Sequence, residues 1–404
     1  MPDGHAGSAD PQTQPEPDGG WSESITEIDN AIAVPPDKSD FVQPAGILGP
    51  SGQYCAQGAL WRKFRPLTVE PRMPDAEIEK LPGRWLWGGV LWAHFGHFLV
   101  ESTARLWALN CLDRPIDGIL FIPKRPRTGE ELRGFQREFI DLMSPDIPVR
   151  VATRPMQVDE LVVPGQGFGL GRITAGTPKY RDAIRARFAQ DVQPEGPEKI
   201  YISRSALGLG KGGLLGEERL EELLEKEGYE TFHPQQHNLA TQLARYKAAK
   251  KIVAADGSAI HLFAMVGHAD QDLAIVLRRK SSANNLLAAN VSHFCGRDPV
   301  MISALRTEWV KEDGKQTSNR LSFGEIDHSS IGRELAQAGF IADVTDWSAL
   351  TDDERRQSME SKGLTRENRF IESPRFARRR VRAMREQRRA ARPNTVMSSR
   401  IQKK

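Results

Sequence analysis

Asp256-Gly257-Ser258 stands between a β-branched run (Ile252, Val253) and an apolar stretch, AIHLFAMV, that reads as a helix. A strand, a tight turn of small residues and a helix start present unpaired N–H groups and partial positive charge, which together favour an anion such as phosphate. Earlier in the chain, KIYISRSALGLGKGG ends a second strand (Ile200–Ile202) in Ser203-Arg204-Ser205 and a glycine-rich loop, Gly208 to Gly213. The Arg204 guanidinium can hold a diphosphate bidentately, with Ser203 and Ser205 donating to its oxygens. The loop lacks the Gly-Lys-Ser/Thr ending of an NTP-hydrolysing P-loop, and reads instead as a mobile lid that brings Lys211 to a phosphate.

His94, His97 and Glu101 lie at i, i+3 and i+7, one face of a helix if that helix is continuous. A histidine is a suitable general base near neutral pH, and a carboxylate four residues on can orient it. The competing reading makes His97 a structural histidine bonded to Glu101 among Trp92, Phe95 and Phe98. His94 reads as structural. A zinc-peptidase helix would carry HExxH, which is missing here. Asp270-Gln271-Asp272 precedes a strand rather than following one, and so reads as a solvated loop. With no metal site expected, a departing anion would be neutralised by Arg204, Lys211 and the Gly257-Ser258 turn.

The elements that must position these residues alternate. After Ile202 come a helix from Glu217 to Glu227, a strand from Tyr229 to Phe232 and a helix from Leu239 to Lys250. A strand from Leu273 to Leu277 and an apolar helix through Leu286, Leu287 and Val291 follow Val266. Upstream, Gly118 to Pro123 reads as a buried strand, Glu130 to Met143 as a helix, Val149 to Val151 and Leu161 to Val163 as short strands, and Tyr180 to Gln190 as a helix. Such alternation predicts an α/β protein with parallel sheets, whose ligands sit beyond the carboxyl ends of the strands. Ser203 to Ser205, Gly257 and Ser258 all fall at such ends. The loop from Gly165 to Gly171 reads as flexible.

The order ISRS, a helix ending in GYE, then HP, then Gln242 before a strand and GSA-I-H, resembles glycosyltransferase family 61. The stretch GGVLWAHFGHFLVESTARLWAL is similar to that family's aromatic–His–aromatic–x–x–acid–x–x–x–Arg–Leu pattern. On this alignment His97, Glu101 and Arg105 fall on the family's His, acid and Arg, Ser203-Arg204 on its Ser-Arg, and Gly257-Ser258 on its Gly-small turn. The resemblance covers residues 80–295. It departs at Gly216-Glu217, Pro234-Gln235 and Thr241-Gln242, where the family often has Asn-Glu, Pro-Glu and Glu-Gln. It implies two Rossmann-like lobes facing each other, a GT-B-like arrangement. It also implies an inverting transfer of a hexosyl or pentosyl group from a nucleotide-sugar to a hydroxyl of a capsular or other surface polysaccharide, or of a lipid-linked glycan. The nucleotide-sugar is a co-substrate, and no cofactor is expected. Arg105 and Lys211 would contact substrate, Glu217 the ribose hydroxyls, and His261 the sugar or phosphate.

With 404 residues the chain can form two domains. Residues 1–45 are rich in Pro, Gly, Asp and Ser and are expected to be disordered. Residues 46–190 are expected to form an acceptor lobe and 195–304 a nucleotide-sugar lobe, hinged at the linker between them. Residues 305–370 would be an appendage, with Leu335, Phe340 and Ile341 suggesting a packed helix and a strand, and 371–404 a basic helical tail. The start shows no secretory signal pattern, no apolar run is long enough to span a bilayer, and the three cysteines are scattered. A cytoplasmic protein is expected on those grounds. From Arg375 to Lys404 there are twelve Lys or Arg and one acid, a net +11, which leaves −8 on residues 1–374 of a chain whose total is +3. Such a helix can lie on anionic lipid, be a solvated tail or oligomer contact, or bind nucleic acid; nucleic acid is the partner not expected. A reading of another class is a non-catalytic GT-B-like scaffold that recruits lipid or protein partners through this tail.

Overall fold

The structure is a computed structural model that describes residues 14–75, 78–126, 131–313 and 316–390. The described chain divides into two compact units. The first holds the residues up to Ser203, with Gly228–Ile275 and Ser282–Met301; the second holds Arg204–Glu227, Val276–Ser281 and the residues from Ile302 onward.

The first unit contains two sheets. One has six strands in the order Gly46–Leu48, Ile25–Val34, Met156–Pro164, Glu79–Leu91, Gly118–Pro123, Val149–Val151. Its last four strands run parallel, and Ile25–Val34 joins antiparallel to Met156–Pro164. The run GILFIP is buried at every position, as a parallel strand covered on both faces must be. Trp87, Leu120, Ile122 and Leu161 are fully buried in the core on this sheet, each burial worth about 1.5–3 kcal/mol.

Strand Ile25–Val34 corrects the expectation of disorder over residues 1–45. The turn-forming residues on either side lower the average hydropathy, yet ITEIDNAIAV holds enough β-branched residues to pair along almost its whole length. Ala31, Ile32, Ala33 and Val34 are buried. Residues 1–13 of that expectation lie outside the described residues.

The second sheet has five strands in the order Glu230–Phe232, Lys199–Ile202, Lys251–Ala255, Asp272–Val276, Val300–Ile302. Counted along the chain this is 2-1-3-4-5, a doubly wound order. The first three strands pair in parallel, with Ile202 opposite Ala254. The helices are those the alternation foretold: Leu239–Ala248, started by the Asn238 side chain accepting from Thr241 N at 2.8 Å, then Ala259–Val266 and Ala283–Cys295. The upstream helices are Gly134–Met143 and Pro178–Arg187; Glu130 lies outside the described residues.

The linker between 190 and 195 does not separate two bodies. Helix Gly134–Met143 packs on Leu239–Ala248, and Pro178–Arg187 on Ala259–Val266. Lys247 Nζ donates to the carbonyls of Ala189 (2.6 Å) and Val192 (2.8 Å), and Glu195 N donates to Ala244 O at 3.1 Å. These bonds fasten the linker to the second sheet's own helix. The fold is therefore mixed α/β, with both mainly parallel sheets inside one compact unit.

The second unit is built on a four-stranded sheet in the order Gly213–Leu215, Phe323–Ile326, Leu305–Lys311, Phe370–Glu372. The expected appendage of residues 305–370 thus shares its sheet with a strand from before residue 227. Glu325 accepts from Arg355 at 2.8 and 2.9 Å and from Trp309 Nε1 at 3.1 Å, which ties helix Asp352–Ser361 to the sheet. Leu335 lies in helix His328–Gln337, while Phe340 and Ile341 are buried without forming a strand. Helix Pro374–Ala390 matches the expected basic helix: Phe376 is buried, and Arg380 donates to Glu372 at 2.7 and 2.9 Å. Residues 391–404 lie outside the described residues. No helix among the described residues is long and apolar enough to cross a membrane.

Candidate functional site

In a doubly wound sheet the crevice opens where strand order reverses, here between Lys199–Ile202 and Lys251–Ala255. Because Ile202 faces Ala254, Ser203 leaves one strand beside the point where Asp256-Gly257-Ser258 leaves the other. Ser203 and Asp256 are buried, and Ser203 N donates to Phe232 O at 2.9 Å. Ser258 sits at the N-cap of Ala259–Val266 without using its side chain as a cap. Ile260 N donates to Gly257 O at 3.3 Å and His261 N to Ser258 O at 3.2 Å, so the first turn of the helix closes back on the Gly-Ser turn.

The aromatic–histidine stretch begins where strand Glu79–Leu91 ends. It is not one continuous helix. A single α turn, Phe95–His97, passes into a wider π turn, Phe98–Ser102, a feature often found at functional sites. His97 Nδ1 still lies 2.8 Å from Glu101 Oε2. Arg62 closes the group: its Nε donates to Glu101 Oε1 at 2.7 Å and one terminal nitrogen to Oε2 at 2.5 Å, 3.1 Å from His97 Nδ1. Burial alone would raise the pKa of Glu101, but the bonds from His97 and Arg62 outweigh it and hold the carboxyl below its ordinary range. A carboxylate only accepts and a guanidinium only donates, so the contact with Glu101 places a hydrogen on Nδ1 and leaves the lone pair on Nε2, while the contact with Arg62 calls for the other tautomer. The His97 side chain is one-third exposed and Glu101 has none of its side chain exposed. Trp92 lies 4.7 Å from the His97 ring, tilted by 30°.

Gly96 brings this stretch to the switch point. A Cβ at Gly96 would stand 2.6 Å from Ser258 Oγ and 3.2 Å from Ser258 Cβ. His261, one turn into the helix, has its Nδ1 3.0 Å from Asn290 Oδ1. Burial pushes its pKa below the ordinary histidine value, and His97 pushes the same way. His97, Glu101, Ser203, Gly257, Ser258 and His261 thus belong to one unit, and Gly96 and Ser258 join the two motifs by contact.

Arg105 is elsewhere. Its guanidinium is buried and donates to the carbonyls of Pro164 and, at 2.7 Å, Ala59. The expected substrate contact gives way to a bracing role, because desolvation confines the group to backbone acceptors and lowers its pKa to about 10. The loop Gly165–Gly171 is likewise fixed rather than flexible: Gln166 bonds Trp61 on both its N–H (2.8 Å) and its carbonyl (3.1 Å), and a Cβ at Gly165 would meet Trp21 O.

Arg204, Ser205, Lys211 and Glu217 belong to the second unit. Glu217, expected at a ribose, is buried, and its Oε1 accepts from Arg204 N at 2.7 Å. It holds the Ser-Arg turn in place instead of pointing into solvent. Arg204 donates to the carbonyls of Lys211 (3.0 Å) and Gly212 (3.2 Å), and Ser205 Oγ donates to Glu221 at 2.6 Å. The glycine loop is pinned at its far end, where Gly212 has φ +64 and a Cβ would meet Arg320 O at 2.6 Å. Gly208 and Gly210 face open space, and Lys211 is exposed. Lys362 Nζ donates to Ser205 O at 2.9 Å and pairs with Glu218.

Arg62, Trp92 and Asn290 were not among the expected site residues. Only the density of aromatic and basic residues in WRKFR marks Arg62 in the sequence. Residues 95–269, a little under half of the chain, match the family model described as Glycosyltransferase 61. The match supports that family for the stretch that holds the switch point, His97 and Glu101; Arg62 lies outside it. No curated protein matches the chain.

Proposed function

We propose that this protein is a glycosyltransferase that moves a hexosyl or pentosyl group from a nucleotide-sugar to a hydroxyl of a surface-polysaccharide or lipid-linked glycan acceptor. The observation that carries the reading is the His97–Glu101–Arg62 group beside a switch point whose turn, Gly257-Ser258, touches Gly96. The family match to residues 95–269 supports the same reading.

The mechanism takes the tautomer that the Glu101 contact calls for, with the hydrogen on Nδ1. Nε2 of His97 takes the acceptor hydroxyl's proton as the oxygen attacks the anomeric carbon. Glu101 accepts from Nδ1–H and stabilises the imidazolium as it forms. The bond to the nucleoside diphosphate breaks on the opposite face, so one displacement inverts the anomeric centre. The departing diphosphate is met by the Gly257-Ser258 turn at the start of helix Ala259–Val266, with Ser203 on the adjoining strand end. This scheme calls for no metal. A cytoplasmic location and a peripheral membrane position for the basic helix belong to the same reading.

Thermal-shift measurement across nucleotide-sugars tests it, since a donor that binds the native state raises apparent stability. One donor should raise Tm and be hydrolysed slowly without acceptor. His97→Ala should keep the Tm shift and lose transfer by about 10²–10⁴-fold. No shift with any donor, or unchanged turnover in His97→Ala, would overturn the assignment.

A further inference from the structure

A line of stacked planar groups leads from His97 to the surface. The Trp92 ring lies 4.7 Å from His97, Arg62 lies 4.8 Å above Trp92 and 5.6 Å from Phe41, and Arg65 lies 4.8 Å from Phe41 and 5.9 Å from Phe64. From Trp92 outward, guanidinium groups and rings alternate. From Arg62 outward exposure rises: the Arg62 side chain is 14% exposed, Phe41 49% and Phe64 78%. Two phenylalanines this bare, in line with a candidate base, mark a surface for a ligand.

The line is built, not incidental. Trp61–Arg62 and Arg65–Pro66 pair as a two-residue hairpin, with Lys63 at φ +59. A lysine in the left-handed region costs about 1 kcal/mol or more. The strain is held by Lys63 N donating to Leu170 O at 2.7 Å. Phe41 is held separately: Lys124 Nζ donates to the carbonyls of Asp40 (3.1 Å) and Phe41 (2.9 Å), and Gln43 Nε2 donates to Lys124 O at 2.8 Å. Among the described residues neither Lys63 nor Arg65 has a carboxylate partner, whereas Arg62 is committed to Glu101.

We infer that Phe41, Phe64 and Arg65, with Lys63, form the acceptor track of the proposed transferase, and that the acceptor is an acidic glycan whose sugar rings stack on the two phenylalanines. The inference rests on the transferase reading and names its acceptor class. A pyranose offers a flat C–H face that packs on the electron-rich face of an aromatic ring, the same face that attracts a cation. Two rings separated by an unpaired guanidinium suit successive sugars, one of them carrying a carboxylate that Arg65 binds in a fork. The alternation ends at Trp92 and His97, where the terminal hydroxyl is delivered to Nε2.

Isothermal titration of the full chain, without donor, tests this with three hexamers: α-1,4-galacturonate, neutral maltohexaose and poly-glutamate. The galacturonate hexamer should bind at least about tenfold more tightly than either of the others. Phe64→Ala should weaken it about fivefold or more, and Arg65→Glu about tenfold or more, with Tm unchanged because both residues are exposed. Equal binding of poly-glutamate would reduce the track to a charged patch, and equal binding of maltohexaose would remove the acidic requirement. Either result overturns the inference, as does absence of binding to all three or insensitivity to both substitutions. Because donor is absent, the outcomes separate. A failed donor screen with track-dependent glycan binding sinks the transferase reading, whereas a working donor with no glycan binding sinks the track.

Discussion

His97 and Glu101 stand four residues apart, the one spacing in this region whose geometry the sequence makes readable, because it survives a change from an α turn to a π turn. Arg62 was not readable, since it reaches Glu101 across thirty-nine positions and no local period announces such a contact. Arg105 illustrates the opposite error: an arginine in an alignable place suggests substrate, yet here it is enclosed and bonded to two main-chain carbonyls. This difference is measurable. Arg105→Met keeps most of the volume but leaves the carbonyls of Pro164 and Ala59 without their donor, which should cost about 2–4 kcal/mol in urea unfolding. Donor affinity of the folded fraction should stay as it was. A variant of full stability with weakened donor binding would restore Arg105 to the binding site.

At the scale of elements, the second sheet was legible almost strand by strand, because buried β-branched runs alternated with amphipathic helices and Gly257-Ser258 marked a turn. Its strand order was not, and the order is what puts Ser203 beside Gly257. Strand Ile25–Val34 escaped notice because polar and turn-forming neighbours diluted its pattern, although its partner, Met156–Pro164, was partly foreseen as Leu161 to Val163. The junction of the two motifs rests on a glycine. Gly96→Ala should push the α turn away from Ala259–Val266 and cost about 1–3 kcal/mol, as overpacking does. Pairing it with Ser258→Gly removes both close atoms and should recover most of that loss. Thermal melts of the two single variants and the double variant check this; additive losses would show that the two motifs are not coupled through this contact.

The whole molecule joins its second unit from three separated stretches of chain, which explains why no composition shift announced it. A linker rich in Pro and Gly looked like a boundary and is bonded on both sides instead, while the true division passes between Ser203 and Arg204 inside a motif. Charge, by contrast, could be assigned from the sequence: the stretch from Arg375 carries +11 against −8 for the rest. In the structure this stretch starts as a helix anchored by Phe376 and the Arg380–Glu372 pair, with Val381 and Met384 exposed beside Arg378, Arg382 and Arg385. Two apolar side chains give too little burial to hold a helix on a bilayer alone, so any attachment must be mainly electrostatic, at about 1 kcal/mol per basic residue near an anionic surface. Truncation after Arg380 keeps the Phe376 anchor and the ion pair while removing eight of the twelve basic residues. The full chain should co-sediment with vesicles containing anionic lipid at low salt, detach as salt rises, and ignore neutral vesicles. The truncated chain should lose nearly all of that binding and keep its Tm. Equal sedimentation of the two chains would place the attachment elsewhere on the molecule.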